Sequence, residues 1–163
     1  VNKSISVPAG ANAGDLSTVN GEIRVGAGAR VGDVETVNGS IELGDQAAVA
    51  DVETVNGSVR GGAGIRIDGD VETVNGTLRF DSCQLRGAME LVNGRVELSG
   101  NTVLAGDLTV RKPTGMGIGW GNSNKKPVIV IGAGVEVRGR IVLKREAELL
   151  IDPAARVGQI VGP

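Results

Sequence analysis

The residues with most capacity for chemistry are carboxylates at a fixed spacing. Glu35, Glu53, Glu72 and Glu90 recur 18 or 19 positions apart, and Asp15, Asp33, Asp51 and Asp70 recur in step with them. Each of Asp33, Asp51 and Asp70 precedes a glutamate by two positions, so in a strand both would share one face. If successive copies stack at about 4.8 Å, a like-charge pair costs about 0.9 kcal/mol in bulk water. Weak cation binding along the Asp/Glu columns, or a basic partner, would relieve that repulsion. The sharply turned loop of oxygen ligands that marks a dedicated calcium site is missing from the sequence. A solvated, solubilising face is therefore the plainer reading, and no metal-ligating residues are assigned.

Other catalytic chemistries find few residues to work with. Histidine, the commonest neutral-pH acid–base group and metal ligand, does not occur. Cys83 is the one cysteine, in the segment Asp81-Ser82-Cys83-Gln84, and is read as a small turn residue rather than a nucleophile. The glycine-rich run Gly115-Met116-Gly117-Ile118-Gly119-Trp120 lacks the Gly-Lys-Ser/Thr ending of a phosphate loop. Thr18, Thr36, Thr54 and Thr73 form a threonine column that could match an ice lattice. Such faces usually carry two parallel threonine columns, and here the neighbours are Glu and Val. An active site is normally one local departure from a repeat, and the departure in this chain, residues 111–126, contains no carboxylate. No catalytic or cofactor-binding residue is expected, and the chain reads as a non-enzyme.

Composition narrows the partners. With 27 Gly, one Phe, one Trp and no Tyr in 163 residues, the core must be narrow and filled with Val, Ile, Leu and Ala. A net charge of -2 with scattered Lys and Arg offers no concentrated basic surface, so nucleic acid is not expected as a partner. No apolar run approaches the roughly 18 residues of a membrane span. The chain begins at Val1 with no signal peptide remaining, as a mature exported protein or a trimmed fragment would; a periplasmic or extracellular location is the expectation, with the cytoplasm as the alternative.

These residues are ordered by a repeat. Asp-Val-Glu-Thr-Val-Asn-Gly occurs at 33–39, 51–57 and 70–76, with weaker copies at 15–21 and 88–94, so that Gly21, Gly39, Gly57, Gly76 and Gly94 lie 18 or 19 apart. After each Val-Asn-Gly comes an alternating segment such as Ile41-Glu42-Leu43, then a Gly/Ala-rich turn and a short apolar piece. Alternation predicts about three short strands per rung, and no segment has helical periodicity. Stacked rungs put each residue type above itself. Leu16, Val34, Val52, Val71 and Met89 should form one inward column, and Ile23, Ile41, Val59, Leu78 and Val96 another. Asn20, Asn38, Asn56, Asn75 and Asn93 should form an amide ladder at a corner, where Asn tolerates left-handed backbone. The predicted fold is all-β: one single-stranded parallel β-solenoid spanning 1–163, with about 18 residues per rung and about eight rungs. Parallel crossovers favour a right-handed coil. The spacing of six between Val19, Val25 and Val31 is the contrary sign, shared with left-handed hexapeptide helices.

The rungs, including Gly132-Ala133-Gly134-Val135-Glu136-Val137-Arg138-Gly139, resemble the bactofilin family of polymer-forming bacterial proteins, and the Val-Asn-Gly corners are also similar to β-helical repeats of bacterial surface adhesins. The first resemblance implies a right-handed β-helix that polymerises without nucleotide.

A Gly-rich insertion at about 111–126 replaces the sixth corner before Val128-Ile129-Val130-Ile131 resumes the strand, and Lys144-Arg145-Glu146 takes the place of the seventh corner. Period-two alternation puts Met116, Ile118 and Trp120 on one face of the insertion, as candidate loop contacts. The chain enters the repeat at the Val before a corner and leaves it after about one opening strand, Gln159 to Pro163. Val1, Ile5, Val7, Ile160 and Val161 are therefore the candidate interface for end-to-end homopolymerisation, at an axial repeat of about 38 Å for eight rungs. The expected function is a structural, self-associating solenoid that stacks head to tail into filaments or a scaffold. The alternative is a monomeric surface binding module, an adhesin or glycan binder.

Overall fold

The computed structural model describes residues 3–111 and 127–162. Among them all regular structure is β-strand and every strand pairing is parallel. The chain is the expected β-solenoid, with rungs of about 18 residues in about eight turns.

Each full rung presents three faces. The first carries strands such as Leu16–Asn20, Val34–Asn38 and Val52–Asn56, continuing through Leu108–Val110 and Ile141–Leu143 to Ile160–Val161. The second runs from Ile5–Val7 through Ile23–Val25 and Ile41–Leu43 to Val128–Ile131 and Glu148–Ile151. In two rungs the strand bends unbroken from the first face into the second, as Val71–Asp81 and Met89–Ser99. These two faces form a 14-stranded sheet. A 6-stranded sheet makes the third face, from Ala48–Val49 to Arg156–Val157.

Register follows from the alternation. A strand has a side-chain period of two, so a slip of one residue would turn its apolar set outward, whereas a slip within a corner costs little. Single-residue changes in rung length lie in corners: Val49 pairs 18 positions on with Ile67, but Val52 pairs 19 on with Val71. Likewise Phe80 pairs 18 on with Leu98, but Gln84 pairs 19 on with Val103. The predicted inward columns hold in register, from Leu16 through Val34, Val52, Val71 and Met89 to Leu108 and Ile141, and from Ile23 through Ile41, Val59, Leu78 and Val96 to Ile129. From Val34 and Ile23 onward these side chains are buried. The 111–126 insertion falls between Leu108–Val110 and Val128–Ile131, whose partners are the two halves of Met89–Ser99.

Two glycine positions have different causes. At the corners, a Cβ on Gly39, Gly57, Gly76 or Gly94 would overlap the carbonyl oxygen of the corner glycine one rung earlier, so only a missing side chain lets rungs stack that closely. Gly61 instead accommodates the largest core side chain. A Cβ there would lie 2.7 Å from Cδ1 of Phe80 and 3.0 Å from Cδ1 of Ile65.

Three expectations are corrected. The Asn ladder is not in left-handed backbone: among the described residues the non-glycine positions with positive φ are Gln46 and Ser82, and Asn20, Asn38 and Asn56 end extended strands. Val19 is 46 % exposed, whereas Val25 and Val31 are buried, so the spacing of six does not describe one inward set. Cys83 follows a turn but points into the core, in the corner column shared by Ala29, Ala47, Ile65 and Thr102.

Candidate functional site: outward columns and open ends

The corner between the first and second faces is an amide ladder. Nδ2 of Asn38, Asn56, Asn75 and Asn93 donates to Oδ1 of the Asn one rung earlier, at 2.9, 3.0, 3.1 and 3.1 Å. The sequence does not mark where the ladder stops. Arg145, in the degenerate seventh corner, donates to Asn93 Oδ1 at 2.6 Å and to the Val92 carbonyl at 3.4 Å. Across the 111–126 insertion, a guanidinium takes the place that the next Asn would have filled.

The aspartates occupy the corner between the third and first faces, where they satisfy backbone donors. Oδ1 of Asp15, Asp33, Asp51 and Asp70 accepts the N–H of Asp33, Asp51, Asp70 and Ala88, the residue one rung later, at 2.8 to 3.2 Å. Asp107 accepts the N–H of Arg140 in the same way at 2.8 Å. These carboxylates are thus engaged as corner caps. Among the described residues, no group of three or more Asp, Glu or Cys side chains converges on a metal-sized site.

Glu35, Glu53, Glu72 and Glu90 do stack in register on the outer side of the first face. Glu90 pairs with Arg111 at 3.3 Å, while Glu35, Glu53 and Glu72 have no ion-pair partner among the described residues. Burial pushes Glu53 above its usual carboxylate range, with Glu35 and Asp51 adding repulsion and Glu35 a hydrogen bond that favours a shared proton. Glu72 is raised by burial and then by Glu90 and Glu53, against a smaller lowering by Arg111. Beside the glutamates runs an outward valine column, of which Val19, Val37 and Val74 are exposed.

The threonine column faces inward, which removes it as an ice-binding surface. Thr18, Thr36, Thr54 and Thr73 are all buried. Thr18 donates to the Lys3 carbonyl at 2.8 Å and Thr36 to the Gly21 carbonyl at 3.4 Å, while the hydroxyls of Thr54 and Thr73 have no hydrogen-bond partner among the described residues. Further along, Leu91 and Val110 take over the column. On the second face lies an open groove of about 450 Å³, lined by Ser6, Arg24, Glu42 and Arg60 and floored by glycines. Its polar groups are already engaged with each other in part, Arg24 pairing with Glu42 at 3.5 Å.

The candidate interface residues lie at opposite ends. Ile5 is half-buried and Val7 buried, on the second face of the first rung. Ile160 and Val161 are exposed, on the first face of the last. Inward side chains of the first and last described rungs, Leu16 and Ala13 at one end and Leu149, Ile151 and Val157 at the other, are only partly buried. Val1, and the loop contacts Met116, Ile118 and Trp120, lie outside the described residues. No protein-family model, curated protein or solved structure matches the chain.

Proposed function

We propose that this chain is a structural, self-associating solenoid of the bactofilin-like, polymer-forming kind, which stacks head to tail and performs no catalysis. The observation that supports the reading is the parallel solenoid itself, in which every rung is joined to the next by the same in-register strand pairing, aliphatic columns and Asn and Asp ladders, contacts that a rung of a second copy could repeat. The aliphatic core continues through the first and last described rungs, whose apolar side chains are partly buried. Unpaired parallel strand edges above an open core are templates for a further rung. The half-rungs are complementary in position: Ile5–Val7 and the bridge at Asn12 lie on the second and third faces, and Ile160–Val161 lies on the first. In the proposed stack, Ile160–Val161 of one copy lies alongside Leu16–Asn20 of the next and continues the first face across the junction. The outward columns support a scaffold role as well, since the Asn and Asp side chains are spent on holding rungs together.

Negative-stain microscopy of the purified chain, with Ile5→Asp and Ile160→Asp beside it, tests the proposal. The wild type should form rods with an axial repeat of about 38 Å, from about 4.8 Å per rung, and each variant should remain folded but unassembled. A discrete wild-type monomer at high concentration would refute self-association and favour a monomeric adhesin or glycan-binding module. Rods that persist in both variants would refute the end-to-end contact.

A further inference from the structure

The outer surface carries charge and apolar columns away from the ends. Charge is segregated around the rung. The first face bears the Glu35–Glu53–Glu72 column without basic partners, flanked by exposed Val19, Val37 and Val74. The third face bears the outward column Arg30, Ala48, Arg66 in register, and neither Arg30 nor Arg66 takes part in an ion pair among the described residues. We propose that the first face of one copy docks side by side on the third face of a second copy, axes parallel, with Glu35 and Glu72 meeting Arg30 and Arg66.

Periodicity selects the partner. Arg30 and Arg66 stand two rungs apart, as do Glu35 and Glu72, so both pairs are separated by about 9.6 Å along the axis. Ala48, small and midway between the arginines, leaves space opposite Glu53. An extended peptide repeats its same-side residues at about 6.8 Å and drifts out of step with the column within a few residues. Another solenoid of the same rise stays in step along its whole length. First face on first face would oppose glutamates, and third on third would oppose arginines. The contact between unlike faces is heterologous, so it generates a ring or an open sheet of parallel solenoids. It also gives the exposed valines a partner surface and relieves the like-charge stacking that adds to burial in raising Glu53 and Glu72.

The test is cross-linking between separately purified full-length Glu72→Cys and Arg66→Cys proteins, using a short bismaleimide at pH 7 and low salt. Native Cys83 is enclosed in the core and stays out of the reaction. Mixed samples should give at least about ten-fold more cross-linked dimer than either variant alone, or than Glu72→Cys mixed with Arg24→Cys on the second face. The yield should fall several-fold on raising salt to about 0.5 M, where screening shortens to a few ångströms. Adding Glu35→Gln to the Glu72→Cys protein should lower it further, with the same circular dichroism. Placing Ile160→Asp in both proteins should leave the yield unchanged, because the ends take no part. Equal yields across all pairings, no cross-linking in the mixture at millimolar protein, or loss of the product in the Ile160→Asp background would each overturn the lateral contact.

Discussion

Replacing Gly61 by Val should destabilise the protein, and replacing Phe80 by Val in the same chain should restore it. Gly61 and Phe80 are register neighbours in the inward column that runs Val25, Leu43, Gly61, Phe80, Leu98 and Ile131. The backbone of Gly61 lies outside the left-handed region, so its demand for glycine is steric alone. A Cβ there meets Phe80 Cδ1 at 2.7 Å, Ile65 Cδ1 at 3.0 Å and Phe80 Cε1 at 3.2 Å, against the roughly 3.5–4.0 Å of relaxed carbon contacts. Phe80 and Ile65 are both 0 % exposed, so neither can swing out. Overpacking of this kind costs about 1–3 kcal/mol. Phe80→Val alone opens a cavity against the bare Gly61 backbone and should cost roughly 2–4 kcal/mol. The double variant puts Val on Val between Leu43 and Leu98, a nearly volume-conserving exchange that should cost less than about 1.5 kcal/mol. Urea unfolding followed by far-ultraviolet circular dichroism gives each stability, and the cycle should show a favourable coupling of at least about 1.5 kcal/mol. Additive losses in the double variant would refute the idea that Gly61 exists to house the Phe80 ring.

Thr54→Val removes a buried hydroxyl that has no partner and should raise stability by about 0.5–1.5 kcal/mol, whereas Thr18→Val breaks the 2.8 Å bond to Lys3 and should lower it; urea midpoints in the opposite order would contradict this. Glu53 and Glu72 bind protons more readily in the folded chain than in the unfolded one, so their contribution to stability falls as pH rises from the ordinary value of 4.5 through the raised folded values. Glu53→Gln/Glu72→Gln should therefore flatten the gain in stability on acidification from pH 7 toward 5; an unchanged pH slope would count against it. Cys83, whose thiol burial pushes up to about 11, should resist alkylation at pH 8 until urea unfolds the chain, and prompt labelling of the native protein would refute its enclosure. Arg145→Ala should destabilise the last rungs by about 1–2 kcal/mol through loss of its charged hydrogen bond to Asn93, an effect that Asn93→Ala should make disappear in the double variant.

The columns, rung length and corner ladder were legible because each was written several times over: five Val-Asn-Gly copies average out local accidents. What the sequence obscured lies where a position departs from its column. Thr36 stands two residues after inward Val34, so alternation already placed it inside, yet its polarity invited a surface reading. Cys83 stands three and two 18-residue periods after Ala29 and Ala47, so counting already placed it in their inward column, yet its polar flanks Asp81-Ser82 and Gln84 invited a turn reading. Gly61 and Phe80 each looked like a lapse in the aliphatic pattern, and only their adjacency across a rung shows that one lapse fills the other. Arg145 reads as the loss of a corner, since 52 residues and an insertion separate it from the Asn93 it caps.

The Asn ladder has a direction. Asn38, Asn56, Asn75 and Asn93 each donate toward the first rung, so the side-chain dipoles of the ladder align head to tail, as peptide dipoles do in an α-helix. Their sum leaves partial negative charge at the Asn93 carbonyl oxygen, the counterpart of a helix C-terminus. Arg145 sets a full positive charge at that pole. Asn could continue the row there as a neutral donor, but Arg answers the accumulated field and, having no acceptor of its own, ends the relay. The solenoid therefore carries a vector along one edge, with its negative pole neutralised inside the fold.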